Sequence, residues 1–210
     1  MCNAIISPDK LEKEHRGRLL QALGMVAADK GFAATTIADI VRQAGMSKRT
    51  FYEHFNSKEA CFLALYRAVS ASALRTLRDA LKPDRSWHSE LETALNAYFA
   101  HLSTGPRLLR TLFVEVHQLG EPGAAVRREV MQQLADFVRQ VVHKPGLDGA
   151  SGRVLSPTMA MAAVGGINEL VLQAIETRQD LDLTRLTAAA SAVIRALALG
   201  EAASRSPDMP

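Results

Sequence analysis

Apolar residues recur at helical spacing along almost the whole chain, and nowhere do they alternate as a half-buried strand requires. That period predicts an all-α protein. Ser7-Pro8-Asp9 opens a first helix with a serine cap, a proline at the first position and an acid in the first turn. Leu19, Leu23 and Val26 line one face of it until Gly31. A short helix follows over Ile37 to Ala44, then another from Lys48 to about Phe55. A long rod starts after Ser57 and buries Phe62, Tyr66, Val69, Ala73 and Leu77 before Lys82-Pro83-Asp84 interrupts it.

Beyond Pro83 the helices lengthen. Leu91, Leu95, Tyr98 and Leu102 mark one, ending at Thr104-Gly105-Pro106. Leu108, Leu112, Phe113 and Val116 mark the next, and Gly120-Glu121-Pro122-Gly123 reads as a break. Val126, Val130, Phe137 and Val141 follow, then a loop from Lys144 to about Pro157. Two last helices are expected over about 157–177 and 182–199, with a frayed tail from Ala203. The total is about nine helices, and no repeat of fixed period is visible.

The informative pair is 36–44 and 47–55, two short helices joined by Ala44-Gly45-Met46, which is helix-turn-helix spacing. Thr36 with Asp39 forms a capping box, and Gly45 suits a left-handed end. Phe51 and Phe55 are four apart and can pack together against Ile37, Ile40 and Val41. The remaining face then shows Lys48, Arg49, Thr50, Tyr52 and His54, with the segment's acid, Glu53, at a different angle. An apolar back and a cationic, hydrogen-bonding front suit the major groove. Amides opened at the two helix starts favour phosphate oxygens, and Lys58 can pin the DNA backbone from the flank. A purely structural hairpin with a basic outer face is the alternative. Lys10, Lys13 and Arg16 read either as an arm to the DNA flank or as a solvated helix start.

The run Thr35-Thr36-Ile37-Ala38-Asp39-Ile40, with Ala44-Gly45-Met46-Ser47-Lys48-Arg49-Thr50-Phe51-Tyr52-Glu53-His54-Phe55-Asn56-Ser57-Lys58-Glu59-Ala60, closely resembles the DNA-binding signature of the TetR (tetracycline-repressor-like) family. The motif spans roughly residues 16–65, while length, helical pattern and domain order agree over the rest. The resemblance implies an N-terminal three-helix DNA-binding domain over 1–56 and a larger helical ligand-binding and dimerisation domain over 57–210. It places Thr36, Tyr52 and Lys58 on phosphates, and Lys48, Arg49, Thr50 and His54 at base edges or neighbouring phosphates. Arg49 stands where many members carry glycine or another small residue. The implied partners are double-stranded DNA with a palindromic operator, a small-molecule effector and a second copy of the chain.

By the same resemblance the last two helices form a four-helix bundle with a symmetry mate. Gly165 and Gly166 permit close approach, and Val171, Ile175, Val193 and Leu197 are expected in the seam. A pocket is expected among Phe99, Leu112, Phe113, Val116, Met131, Phe137 and Met159, with His117 as a polar anchor. Such walls suit an apolar or aromatic ligand.

Other classes have little to stand on. A di-iron bundle needs paired Glu-x-x-His sites, whereas the match here, Glu12 to His15, lies in a charged first helix. Glu115 and His117 are two apart and point to different faces. Gly146, Gly149 and Gly152 are glycine-spaced, but no strand precedes them. No metal, cofactor or enzyme activity is expected. Cys2 reads as terminal and Cys61, beside Phe62, as core, so neither suggests a disulfide scaffold. No apolar run approaches the roughly 20 residues of a membrane span, and no export signal is visible, so a cytoplasmic regulator without a membrane partner is expected. The net charge of +3 adds a mild bias toward polyanions.

Overall fold

The computed structural model describes residues 8–82, 86–143, 155–177 and 182–205. Among these the regular elements are helical: α1 (Pro8–Lys30), α2 (Ile37–Ala44), α3 (Lys48–His54), α4 (Lys58–Asp79), α5 (Trp87–Ser103), α6 (Pro106–Glu115), α7 (Gly120–His143), α8 (Pro157–Thr177) and α9 (Thr187–Arg205). Short 3-10 turns lie at Val116–Leu119 and Leu183–Leu186. The fold is all-α. Cys2, the Ser7 cap, Pro83-Asp84 and Gly146, Gly149 and Gly152 fall outside the described residues, as does the Lys10 side chain.

Two compact units emerge, residues 1–69 with 107–126, and residues 70–106 with 127–210. They do not follow the division at 56/57, because the first turns of α4, all of α6 beyond Pro106 and the start of α7 pack with the helix-turn-helix.

The first unit is built around α1. Leu19 and Leu23 are fully buried, together with Ile40, Phe51, Cys61 and Phe62. At Gly24 the helix comes close to its neighbours: a Cβ there would sit 3.6 Å from both Leu108 and Leu65 side chains. Thr111 Oγ1 donates to the Ala27 carbonyl at 3.3 Å, which ties α6 to α1. Burying a Phe or Leu fully gives about 1.5–3 kcal/mol each, so this core supplies the stability of a small helical unit.

The break expected at Gly120–Gly123 falls at Gly120, where the 3-10 turn after α6 ends and α7 begins. Helix α7 runs through all four residues, since Pro122 falls in its first turn, where no amide hydrogen is required. Gly120 makes the turn into it at φ +59. Gly123 packs so tightly on the preceding turn that a Cβ would lie 2.1 Å from the Val116 carbonyl oxygen.

In the second unit α5 and α9 pack along each other. Ser103 Oγ accepts from the Leu183 amide at 3.0 Å, and Arg195 reaches Glu92 at 3.5 Å. Trp87, Leu91, Phe99, Val171 and Ile194 fill the centre. The last helix is split, because Asp182 Oδ1 accepts from the Thr184 amide at 3.0 Å and starts a 3-10 turn before α9. Its backbone stays helical to Arg205, past the expected fraying at Ala203. Two stretches, Pro157–Thr177 and Leu183–Gly200, are long and apolar enough to cross a membrane by length and composition, each at mean hydropathy 1.3. The sequence reading had not seen these, because glycine, alanine and threonine dilute the apolar run.

Candidate nucleic-acid interface and effector cavity

Each helix of the helix-turn-helix starts on its own side-chain cap. Thr36 Oγ1 accepts from the Asp39 amide at 3.2 Å, while Asp39 Oδ2 accepts from the Thr36 amide at 3.0 Å. The same carboxylate also takes the Thr36 hydroxyl at 2.6 Å, Lys30 at 2.5 Å and Arg42 at 2.6 Å. Lys30, then the Thr36 donors, hold the Asp39 carboxyl well below the usual carboxylate range. Asp39 therefore joins the end of α1 to the start of α2. Gly45 closes α2 at φ +63, and Arg18 donates to the Ala44 carbonyl at 2.6 Å, a cation at a helix C-terminus.

Ser47 caps α3, its Oγ accepting from the Thr50 amide at 3.0 Å. Phe51 and Phe55 face inward, ring centroids 5.8 Å apart and 0% and 5% exposed. Burial of these two rings decides which side of α3 is left outward. Lys48, Arg49 and Tyr52 are exposed there, Tyr52 by 54%, and Thr50 and His54 are half-buried. Lys48 has no partner among the described residues. Arg49 Nε does have one, bonding to Glu53 Oε1 at 3.2 Å. Glu53 thus shares Arg49's side of the helix, contrary to the sequence reading, because residues four apart are neighbours on an α-helix.

Two contacts to α1 were not legible beforehand. The His15 and His54 rings meet edge-on at 6.2 Å, and the Arg16 guanidinium lies 4.8 Å over the Phe55 ring. Arg16 is accordingly packed on α3 rather than extended as an arm. Cation–aromatic spacing across 39 positions of sequence leaves no local signal.

In the second unit, a cavity of ≈ 40 Å³ lies between helices, lined by Leu77 of α4, Leu91, Leu95 and Tyr98 of α5, Leu134, Phe137 and Val138 of α7, and Val164, Ile167, Asn168 and Val171 of α8. Of the residues expected in a pocket, Phe137 lines it. Phe99 is plain core at 0% exposure, Met131 borders the wall at 9%, and Met159 points outward at 37%. Leu112, Phe113, Val116 and His117 belong to the other unit, with His117 exposed. Helical period identifies the apolar face of each helix, but which apolar residues border a void depends on how the helices cross.

Residues 19–65 match the bacterial regulatory proteins of the tetR family. The matched residues run from α1 through the helix-turn-helix into α4. The activator FasR of Mycolicibacterium smegmatis is 28% identical over 153 residues, covering 72% of this chain and 69% of that protein. The FadR regulator of Bacillus subtilis, solved with stearoyl-CoA, superposes at TM-score 0.72 with 18% identity, covering 85% of this chain and 96% of FadR. GusR of Salmonella enterica superposes equally, TM-score 0.72 at 18% identity, over 94% of this chain and all of GusR. FasR and FadR are transcriptional regulators, and the helix-turn-helix of this chain lies within the matched residues.

Against the TetR-derived roles, one residue is out of place. Lys58 does not face outward. Its Nζ donates to the carbonyls of Thr35 at 2.8 Å, Phe32 at 2.9 Å and Ala33 at 3.4 Å, and lies 4.4 Å over the Phe32 ring. An ammonium has three hydrogens, and all are taken, so Lys58 closes the α1–α2 loop and leaves the phosphate set. Thr36 is exposed, but its hydroxyl hydrogen is given to Asp39. In the C-terminal helices, Val171 and Ile175 are 1% and 5% exposed within their own unit and cannot form a seam with a second copy. Gly165 is half-buried, Gly166 open, Val193 36% exposed and Leu197 half-buried.

Proposed function

We propose that this protein is a TetR-type, dimeric repressor that reads a palindromic operator and is released by an apolar or aromatic ligand. The observation that carries the DNA-binding half is the outward face of α3. Lys48, Thr50 and Tyr52 are presented there on a helix locked in place by buried Phe51 and Phe55. Lys48 and Tyr52 take phosphate or base-edge contacts, Thr50 and His54 flank them, and Thr36 supports the backbone side. Arg49 reaches DNA by exchanging Glu53 for phosphate. The α2 and α3 functional domain, nominally 1–56, and the 57–210 sensor act in the cytoplasm, where the DNA is.

The dimer forms through the outer sides of α8 and α9. Gly166, Ala192, Val193 and Ala196 are exposed there, and Leu199 is 54% exposed, which leaves small and apolar surface for a partner helix pair. That surface also accounts for the high hydropathy of these helices without a membrane. Two recognition helices in such a dimer sit about one DNA turn apart, roughly 34–36 Å.

Ligand control follows from cavity size. A dry apolar cavity of about 150 Å³ holds one benzene, and ligand pockets reach roughly 300–1,000 Å³. At ≈ 40 Å³ this cavity has to open to take an effector, so the effector binds an altered arrangement better than this one. Leu77 in the cavity wall and Lys58, just after the recognition helix, lie on one unbroken helix, α4, which couples the effector to DNA binding. The FadR complex with stearoyl-CoA makes long-chain acyl compounds the first effectors to screen. The name of the FasR relative favours a second reading, an activator, which differs only in where the operator lies relative to a promoter.

Selection of random DNA by the purified protein tests the reading. An enriched palindrome, lost in Tyr52→Ala and weakened steeply by salt, is expected. No enrichment at low salt sinks it.

A further inference from the structure

Asparagine is an odd residue for the middle of an apolar cavity wall. It is a mediocre helix former, and here its half-buried amide is only partly withdrawn from water. Asn168 nevertheless sits on α8 between Val164, Ile167 and Val171, all of which line the same cavity. Its recorded bond is a long one, Nδ2 to the Met131 sulfur at 3.9 Å. Thioether sulfur is a weak acceptor, and the guanidinium of Arg127 already approaches the same sulfur at 3.6 Å. The Asn168 carbonyl oxygen has no partner among the described residues. A leucine of nearly the same shape would fill the position with no polar group to satisfy.

We infer that Asn168 is the specificity-determining residue of the effector cavity, selecting molecules with a hydroxyl or carbonyl oxygen on an otherwise apolar body over hydrocarbons of the same shape. The inference rests on the reading of this cavity as the effector site. An amide sets an NH2 donor group and a carbonyl acceptor side by side, which complements a neutral oxygen. Of the other ten lining residues, only Tyr98 carries a side-chain oxygen, and none is charged. A charged group would therefore enter uncompensated, whereas a neutral hydroxyl or carbonyl finds its hydrogen bond at Asn168. Discrimination arises because a hydrocarbon in the cavity takes water off the half-buried amide without pairing it, whereas an oxygen pairs it.

Toluene and phenol, which exchange a methyl for a hydroxyl at nearly constant shape, are the probes. Their dissociation constants are measured by NMR titration on the full-length protein, as wild type and as Asn168→Leu. The expected result is that both probes bind both proteins, with the toluene-to-phenol preference shifting about tenfold toward toluene in the variant, the worth of one hydrogen bond. An unchanged ratio with both probes still bound overturns the role of Asn168 and leaves the cavity as a ligand site. Binding of neither probe to wild type overturns both readings. If Asn168→Leu fails to fold, the amide is a structural group, and the proposal is overturned on that ground; Asn168→Ala then shows whether the cavity still takes toluene.

Discussion

Replacing Lys58 by methionine separates two roles for a lysine that sequence and structure assign differently. Methionine keeps most of the stem and removes the ammonium. Three bonds to the α1–α2 loop are lost, two at 2.8 and 2.9 Å and one at 3.4 Å, with the contact over Phe32. Hydrogen bonds to a charged group are worth about 1.5–3 kcal/mol, and the cation–aromatic contact about 0.5–1 kcal/mol. The site is half-buried, so water replaces part of this, and a net loss of about 2–4 kcal/mol is expected. For a chain of this length that lowers Tm by roughly 4–16 °C. Urea unfolding should show a lower midpoint at unchanged m. DNA binding, measured by fluorescence anisotropy against salt below the new Tm, should keep its slope. A phosphate ligand behaves in the opposite way: its loss lowers the salt slope by about 0.9 and leaves stability alone. Unchanged urea midpoint with a shallower salt slope would refute the structural role.

Three further outcomes are expected. Glu53→Gln frees Arg49 from its ion pair and removes an acid from the outward side of α3, so on the proposed reading operator affinity should rise several-fold at low salt; a fall in affinity would show that Glu53 positions Arg49 productively. Because the folded-state pKa of Asp39 is depressed, mainly by Lys30, its stabilisation is complete above the unfolded value near 3.9 and is lost as pH falls below it. Acid unfolding followed by circular dichroism should therefore be shallower below pH ~4 in Asp39→Asn, which starts less stable at neutral pH. Burial pushes the Cys61 thiol up to about 12 against the opposing charge of Arg16, so in a Cys2→Ser background thiol reagents at pH 8 should react only as fast as the protein opens. Rapid labelling of folded protein would contradict the buried assignment.

Much of the DNA-binding unit was written locally. The Thr36–Asp39 box, the Gly45 turn, the Ser47 cap and the four-residue spacing of Phe51 and Phe55 each involve neighbours within one or two turns, so the helix ends and the outward face of α3 follow from short-range geometry. The all-helical class followed in the same way, from the period of the apolar residues. The break expected at Gly120–Gly123 narrows to Gly120, and α7 takes in the next three residues because proline serves helix starts as well as breaks.

Tertiary structure decided the rest, wherever the determining contact crossed many residues. Lys58 reads as a flanking phosphate contact from its place in the first turn of α4, yet three carbonyls from 23 to 26 residues earlier accept from its ammonium. Val171 and Ile175 belonged to an apolar stripe whose inward or outward destination is set by what α8 packs against. The cavity is the clearest case. A void is a property of crossing helices rather than of any one of them, so it fell at Leu77 and Asn168, and of the aromatics and methionines expected in its wall it took in Phe137 alone. Periodicity determines which face of a helix avoids water; only the packed structure determines which neighbour, or which empty space, that face meets.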